Sequence, residues 1–418
     1  MKQWKPNRTE FYETAVAMGF YGRDDGGLTG KKDNVRKFWE DVFVKLVCRP
    51  FIENSISDDK KLRILDLGCG SGEGFELLTH IPTSQNSKCS PRDFVLKPGD
   101  IEMYMGVDIS PSMIAQGRTN YRDFGNVSFE CGNLEDGLSH AILSNKPFDI
   151  YFSSYGSVSH LHPNALQMLF ERVFKHAANG SILLFDTHGK FSPSWPKYWA
   201  EIKTMLPYTM SYLVPGDKRK EENVEWFNLC YWSVDELKNI LNKAAKGAGV
   251  EVNLLYMLDR SIYVGRHVDT GLLSGKALPL RYQVNRLLDH GYRGEVEHLR
   301  IELSHLEKYK KSIDQKIWNR LIDYQRKWNK LIFLLEALMN SEDAKVKNFI
   351  ENTDIELMSD DLKFITWLYR NSDRFPVVDF WASIIGPQIA VILRNMEMSY
   401  SEGVGCGHGL LCALEIIK

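Results

Sequence analysis

The sequence lacks several features that would assign it to a specialised class of protein. Its seven cysteines include no CxxC pair and no zinc-ligand spacing, which argues against a disulfide framework and a zinc site. No stretch approaches the roughly 20 apolar residues that span a bilayer, and the beginning of the chain has no apolar signal-peptide run. We therefore expect a cytoplasmic protein with reduced thiols, no metal centre and no membrane partner.

An excess of charge of one sign is also missing. The 52 basic and 54 acidic residues give a formal net charge of -2, so no overall field is available to hold a polyanion, and nucleic acid is not an expected partner. Hydrophobic residues make up 44% and charged residues 25%, as in an ordinary globular protein. At 418 residues, the chain exceeds the size at which one hydrophobic core usually keeps growing, which predicts more than one structural unit.

Short apolar runs that end near glycine alternate with helical patterns through the middle of the chain. Four of them are contained in the segments KLRILDLGCGSG, IEMYMGVDIS, PFDIYFSSYG and GSILLFDTHG. This alternation predicts a doubly wound α/β fold with a mostly parallel sheet and helices on both faces.

The same patterns divide the chain into three predicted domains. Residues 1–54 form an N-terminal helical cap, residues 55–270 form the α/β domain, and residues 271–418 form a helical C-terminal domain with an apolar stripe between charged positions. Within the α/β domain, residues 190–230 are a predicted insertion, because prolines and aromatic residues interrupt the regular pattern. The helical domain could also supply a homodimer interface.

Several local signals mark the end of the α/β domain. Ser233 and Glu236 form a predicted capping box that begins a helix ending near Gly247. The runs VEVNLLYML and RSIYVGRHV then predict two strands that close the sheet as a hairpin turning at Asp259 and Arg260.

The strongest functional signal is the glycine-rich segment LDLGCGSG between a strand and a helical run. Gly68, Gly70 and Gly72 permit backbone conformations closed to other residues and let a ligand lie against the chain. The next strand ends in Asp108, where such a sheet presents an acid to ribose hydroxyls. A dinucleotide site places its acid about 20 residues beyond the glycines, whereas Asp108 lies further along and Asp66 precedes them. That arrangement favours a zwitterionic ligand with a cationic sulfonium.

These segments resemble class I S-adenosylmethionine-dependent methyltransferases over roughly half of the chain. The matching motifs are DLGCGSG after one strand, GVDIS after the next, and GN after VSFEC. The resemblance implies that S-adenosylmethionine is the cofactor, that Asp108 binds its ribose diol, and that the amide oxygen of Asn133 accepts a bond from the adenine amino group. Asn133 departs from the aspartate that is frequent there. The other cofactor-binding candidates are Asp66, the three glycines, Ile109, Leu134, Ser154 and the lid residue Tyr21.

Candidate catalytic residues follow two later strands. Tyr155 could face the sulfonium or the acceptor, and His160 could accept a proton, although a helix cap explains His160 equally well. His188, two residues after Asp186, is a second base candidate on the same face of its strand, with a comparable chance of being structural.

Two further segments have open interpretations. The aromatic residues of the insertion either wall the acceptor or simply pack its core; they are Phe191, Trp195, Tyr198 and Trp199. The glycine-rich segment 403–409 predicts a point of close backbone approach, where Cys406 and His408 are more often structural than metal ligands.

We therefore expect alkylation of a small molecule, such as a natural product, by a methyltransferase. Three alternatives stay open: a nicotinamide enzyme, an enzyme of the same fold that cyclises S-adenosylmethionine to azetidine-2-carboxylate and methylthioadenosine, and a binding protein with a vestigial pocket. Methylthioadenosine formed without an acceptor would identify the cyclising enzyme.

Overall fold

A nine-stranded sheet forms the centre of the molecule. The computed structural model describes residues 11–17, 19, 21–22, 35–56, 60–83, 93–209, 226–265, 280–289, 295–351, 359–400 and 402–418. The strands are β1 (Leu62–Leu67), β2 (Ile101–Asp108), β3 (Val127–Cys131), β4 (Ile150–Ser153), β5 (Ile182–Gly189), β6 (Met205–Thr209), β7 (Trp226–Trp232), β8 (Glu251–Arg260) and β9 (Gly409–Ile417).

Parallel pairing dominates the first half of the sheet. The strands lie in the order β3-β2-β1-β4-β5, all parallel, so their carboxyl ends meet at one edge. Every residue of β1, β4 and β5 is buried, as expected for strands covered on both faces. The prediction of a doubly wound, mostly parallel sheet is confirmed.

The final strand corrects two sequence-based expectations. β9 runs antiparallel between β5 and β8, pairing Gly409 with both His188 and Arg260. The predicted hairpin at Asp259 and Arg260 is wrong, because β8 continues through both residues and pairs with β9 instead. Residues 409–417 therefore lie in the sheet, which corrects the predicted helical domain 271–418. Periodicity along the chain identifies an apolar strand but not a partner so distant in sequence.

A short ribbon branches from the carboxyl end of β5. β6 and β7 pair antiparallel, and β7 touches β5 through the pair His188 and Tyr231. This ribbon overlaps the predicted insertion 190–230, of which residues 210–225 lie outside the described part of the chain.

Helices cover both faces of the sheet. The helices that lie between β8 and β9 in the sequence form a second layer. They are α1 (Phe11–Ala17), α2 (Asp41–Ser55), α3 (Glu73–Thr79), α4 (Pro111–Asn120), α5 (His140–Leu143), α6 (Pro163–His176), α7 (Val234–Ala248), α8 (Leu280–Arg286), α9 (Gln315–Met339), α10 (Asp343–Glu351), α11 (Ser359–Arg370) and α12 (Gly386–Ser399). The predicted capping box of α7 is confirmed: Glu236 N donates to Ser233 Oγ, and Ser233 N donates back to the Glu236 carboxylate.

The segment before α2 joins the helices after β8 to the sheet. Trp39 and Trp328 lie in one apolar core, and the Trp39 indole N–H donates to Glu397 Oε1 at 2.7 Å. Glu397 also accepts from the backbone N–H groups of Ser261 and Ile262, just beyond β8. None of the helices in the described ranges is long and apolar enough to cross a membrane.

Candidate functional site

A cleft opens at the carboxyl edge of the parallel strands. One side is formed by the glycine turn after β1 and by the end of β2, with Gly68, Gly70 and Asp108. The other side lies over β5, β8 and the β6–β7 ribbon, with His188, Arg260, Tyr208 and Leu229. Parallel sheets bind ligands at this edge, so the position of the cleft matches the predicted site.

The three glycines of the turn have different reasons to be glycine. All have positive φ, at +74° for Gly68, +54° for Gly70 and +92° for Gly72. A Cβ on Gly68 would lie 2.5 Å from the Ser157 Cβ, and one on Gly72 would lie 2.5 Å from the Tyr121 ring. A Cβ on Gly70 would meet nothing within 4 Å, although Gly70 lines the cleft. Gly70 is therefore the position at which a ligand can approach the backbone.

Asp108 is fixed by the turn that it faces. Its Oδ2 accepts from Gly70 N at 2.9 Å, and its Oδ1 accepts from Ser110 N at 2.9 Å. Burial raises the pKa of Asp108, and these backbone donors oppose that rise. Each carboxylate oxygen can accept a further bond, so Asp108 can still bind a pair of hydroxyl groups.

Asp66 does not reach the cleft, in contrast to our expectation. It is buried below the turn, where Oδ2 accepts from the Tyr104 hydroxyl and Gly74 packs against the carboxylate. Burial raises the pKa of Asp66 to about 7. Asp66 therefore supports the turn from within the core and does not offset ligand charge by direct contact.

The candidates after β3 and β2 lie outside the set of residues that line the cleft. Asn133 Oδ1 accepts from Glu135 N at 3.1 Å and its amide donates to Asp136, so the side chain caps a short helical turn. Leu134 is buried and Ile109 is 37% exposed. Contacts of these three residues with adenine remain predictions.

The N-terminal segment contacts the glycine turn, and its role as a lid stays a prediction. The backbone oxygen of Tyr21 accepts from Asn120 Nδ2 at 2.9 Å and from Ser71 Oγ at 3.3 Å. Tyr12 and Tyr21 both line the cleft. Residues 1–10 and 23–34 of the predicted N-terminal cap lie outside the described residues.

Tyr155, beside the cofactor candidate Ser154 in the cleft, links the two halves of the site. Its φ of 55° is unusual for a bulky residue. The hydroxyl donates to Asp41, and the guanidinium carbon of Arg36 lies 3.7 Å from the ring centroid. The ring is thus held beneath one cation, with the Arg260 guanidinium carbon 5.2 Å away.

His160 and His188 line the same cleft but have different surroundings. The hydroxyl of Tyr12 lies 3.2 Å from His160 Nε2, and the His160 ring stacks on Phe227. Burial lowers the pKa of His160 to about 4. The contacts with Tyr12 and Phe227 join His160 to the N-terminal segment and to the ribbon, which weakens its case as the base.

His188 is oriented by the backbone of His408. The His188 Nδ1 lies 3.1 Å from the His408 carbonyl oxygen, which can only accept, so Nδ1 carries the proton of the neutral ring. The other nitrogen, Nε2, is then the basic atom, on the ring edge beside Gly156 in the cleft. Burial lowers the pKa of His188 to about 4, which keeps the ring neutral at pH 7.

The predicted partnership of Asp186 with His188 does not form. Asp186 Oδ2 instead accepts from Arg260 Nη2, at 1% exposure of the aspartate. Alternation along the strand places Asp186 and His188 on the same face of β5. The partner of a side chain on that face depends, however, on which residues the neighbouring strands place beside it. That neighbour, Arg260, lies two strands away in space and 74 positions away in sequence.

Buried ion pairs surround the Asp186 and Arg260 pair. Arg36 Nη2 lies 2.5 Å from Glu73 Oε2, and Arg281 Nη1 lies 2.9 Å from Glu40 Oε1. Sequence reasoning missed this cluster, because its members come from five separate segments.

The aromatic wall also has different members from those predicted. Tyr208 stacks on His188 and lines the cleft. Trp195 packs behind His188 and His408, while its indole N–H donates to Gly189 O at 2.8 Å. The aromatic residues of the insertion therefore contribute to the pocket mainly by packing behind the residues that line it.

The glycine-rich segment 403–409 is folded around Asp259. The Asp259 carboxylate accepts from the N–H groups of Val404, Gly405 and Gly407 at 2.9 to 3.1 Å, and from the Cys406 thiol at 3.1 Å. This network places the His408 carbonyl at the His188 ring. The Cys406 thiol thus donates to a carboxylate, which agrees with the interpretation of Cys406 as a structural residue.

Comparison with known proteins identifies the turn-bearing part of the chain. Residues 58–245 match a family model described as a methyltransferase domain. A malonyl-[acyl-carrier protein] O-methyltransferase of Bacillus cereus is 28% identical over 138 residues, covering 33% of this chain and 42% of that protein. The same enzyme of Bacillus cytotoxicus is 29% identical over 143 residues, covering 33% and 39%.

The chain spans only about two fifths of the length of these curated relatives. A solved S-adenosylmethionine-dependent methyltransferase from Clostridium acetobutylicum is similar over 53% of this chain and 83% of its own, at 15% identity and a TM-score of 0.34.

Proposed function

Since residues 58–245 form a class I S-adenosylmethionine-dependent methyltransferase domain, we propose that the chain methylates a small molecule bound in the cleft. The observation that carries this proposal is that a single cleft has two chemically different sides. An open glycine and a fixed carboxylate lie on one side, and an oriented, neutral histidine lies on the other.

The residues of the first side fit the cofactor. Gly70 leaves the space that a Cβ would fill, and Asp108 offers two carboxylate oxygens to the ribose hydroxyls. Tyr155 lines the same cleft, with its ring held under the Arg36 guanidinium. When bound, S-adenosylmethionine supplies an electrophilic methyl group on a sulfonium.

The second side suits an acceptor that loses a proton. The Nε2 atom of neutral His188 can take the proton of an acceptor O–H as the new C–O bond forms. The curated relatives are named O-methyltransferases, which supports oxygen as the acceptor atom. Tyr208 and Leu229 give the pocket an apolar wall, and the lid residue Tyr12 covers it. Positioning in such an enclosed site can supply roughly 7 to 11 kcal/mol of the barrier reduction. A natural-product acceptor remains our expectation.

Binding of the cofactor is tested first, by calorimetric titration of the full chain with S-adenosylhomocysteine. We expect Asp108→Ala to weaken binding by at least about tenfold, the loss of one charged hydrogen-bond acceptor. Unchanged affinity in that variant would overturn the assignment of the site.

Methyl transfer is tested with methyl-labelled S-adenosylmethionine and a panel of small hydroxy and carboxylic acids. We expect S-adenosylhomocysteine to form only with an acceptor, and His188→Gln to slow its formation about 100-fold or more, as removal of a general base does. The matched control is His162→Gln, at an exposed histidine outside the cleft. Methylthioadenosine formed without any acceptor would instead identify the cyclising reaction.

A further inference from the structure

Arg260 has one nitrogen atom engaged in a hydrogen bond and two without one. It is 3% exposed, and its Nη2 donates to Asp186. Within the described residues, Nε and Nη1 have no hydrogen-bond partner; Glu40 lies 3.4 Å from Nη1 but outside hydrogen-bond geometry. A buried guanidinium with two unused donors is costly unless a ligand supplies the acceptors. Arg260 lines the cleft, so a bound ligand can reach it.

The sheet places this cation on the acceptor side of the site. His188 and Arg260 both pair with Gly409, which lies between them on β9. The two residues are therefore two strand spacings apart, about 10 Å between backbones. A Cβ at Gly409 would lie 2.6 Å from Asp186 Oδ1 and 2.7 Å from Arg260 Nη2, so glycine makes room for the Arg260 side chain. The cofactor turn on β1 lies on the far side of β4 and β5.

The charges around Arg260 are paired, whereas its hydrogen-bond donors are not. Asp186 contacts Arg260, Glu73 contacts Arg36, and Glu40 contacts both Arg281 and Arg260. What points to a ligand group is therefore the absence of a hydrogen bond at Nε and Nη1 of a buried arginine that lines the cleft.

We propose that the acceptor is a carboxylic acid, whose carboxylate accepts from one of the unused N–H groups of Arg260 while its hydroxyl nucleophile lies at His188. A hydrogen bond from a guanidinium N–H to a carboxylate is charge-assisted and stronger than one between neutral groups. Tyr208, stacked against His188, favours an aromatic or otherwise planar acid. This inference rests on the proposed function, because it assigns the substrate class of the same site.

The test compares acids with their neutral amides. The full chain, saturated with S-adenosylhomocysteine, is titrated with benzoate, 4-hydroxybenzoate and phenylacetate, and with the three corresponding primary amides. We expect each acid to bind at least tenfold more tightly than its amide. Equal binding of acids and amides to the wild-type protein would overturn the proposal, while tight binding of S-adenosylhomocysteine would leave the proposed function standing.

Variants of the arginine assign the preference to this side chain. Arg260→Gln alone leaves Asp186 buried without its cation, so the double variant Arg260→Gln with Asp186→Asn, which removes the pair together, is measured beside it. We expect the double variant to lose the preference for acids and to keep its affinity for S-adenosylhomocysteine within about twofold. Arg260→Lys, which keeps the charge but not the fixed directions of the guanidinium N–H groups, should retain a reduced preference.

The same variants separate the acceptor from the cofactor as the source of the carboxylate. The matched control is Arg326→Gln, at an arginine that is half exposed in the helical region. If the double variant instead loses tenfold or more in affinity for S-adenosylhomocysteine, Arg260 binds the carboxylate of the cofactor and our assignment is wrong.

Discussion

Two glycines in one turn provide a direct test of which backbone faces the ligand. Gly70 and Gly72 both have positive φ, so alanine is strained at either position. They differ in what an added methyl group would meet. At Gly72 it would lie 2.5 Å from Tyr121 and 2.7 Å from Phe129, whereas at Gly70 it would meet no protein atom within 4 Å.

These contacts set the expected loss of stability. Gly70→Ala costs the left-handed conformation alone, about 1 to 2 kcal/mol. Gly72→Ala adds overpacking against two buried rings, typically about 1 to 3 kcal/mol, for a total of about 2 to 5 kcal/mol. Binding should show the opposite order, because the new methyl at Gly70 occupies the cleft. We expect Gly70→Ala to weaken S-adenosylhomocysteine at least tenfold and Gly72→Ala, measured where it is folded, to weaken it less than threefold.

The assay pairs urea unfolding with calorimetry on each variant. Alanine at Gly249, which has a φ of +70°, open surroundings and a position at the end of α7, controls for backbone strain away from the cleft. If Gly70→Ala binds S-adenosylhomocysteine as tightly as the wild-type protein, the cofactor does not lie against this turn, and our placement of the ligand fails.

Three other variants test the surroundings of the cleft. Burial lowers the pKa of His188 to about 4, so at pH 5 this histidine takes up a proton only when the protein unfolds. Between pH 7 and pH 5, the free energy of unfolding of the wild-type protein should therefore fall by about 2 kcal/mol relative to that of His188→Gln, measured by urea titration at both pH values. Burial raises the pKa of Asp66 to about 7, so the effect of pH on stability has the opposite sign. Between pH 7 and pH 5, the free energy of unfolding of the wild-type protein should rise by about 2 kcal/mol relative to that of Asp66→Asn. The affinity of Asp66→Asn for S-adenosylhomocysteine should stay unchanged. Asp259→Asn should lose about 2 to 4 kcal/mol in thermal unfolding, because an amide cannot satisfy the four donors around it, whereas exposed Asp123→Asn should lose nothing measurable; equal stability of the two variants would contradict the role of Asp259.

The cofactor side of the site could be predicted because its parts are local. A glycine turn lies within a few residues of the strand that positions it, and parallel strands bring successive turns to the same edge. Local patterns therefore suffice to predict that Gly70 and Asp108 lie together, and Gly70 N is 2.9 Å from Asp108 Oδ2. Asp66 was misassigned because sequence shows that an acid precedes the glycines but not which way its side chain points from the strand.

The acceptor side could not be predicted in the same way, since it depends on a strand from the end of the sequence. Asp259 and Arg260 interrupt an apolar run, and we interpreted that interruption as a turn. The structure gives another reason for the two charges: one folds the segment 403–409, and the other binds Asp186 and lines the cleft. Adjacent charges at the end of an apolar strand are thus a signal for a buried site as well as for a hairpin.

Strand β9 makes the two halves of the site depend on different parts of the folding process. The strands β1 to β5 pair with one another within residues 62–189, so the cofactor side can form before β9 joins the sheet. The base and the unused donors of Arg260 acquire their positions only when β9 enters between β5 and β8, because His408 and Gly409 come with it. Since β9 is an internal strand, perturbing it should unpair β8 and expose the β5 edge while leaving the glycine turn with its local partners. A substitution that weakens β9, such as Ala413→Pro, should therefore abolish acid binding at lower urea concentrations than it abolishes binding of S-adenosylhomocysteine. Simultaneous loss of both ligands would show instead that the sheet folds as one cooperative unit.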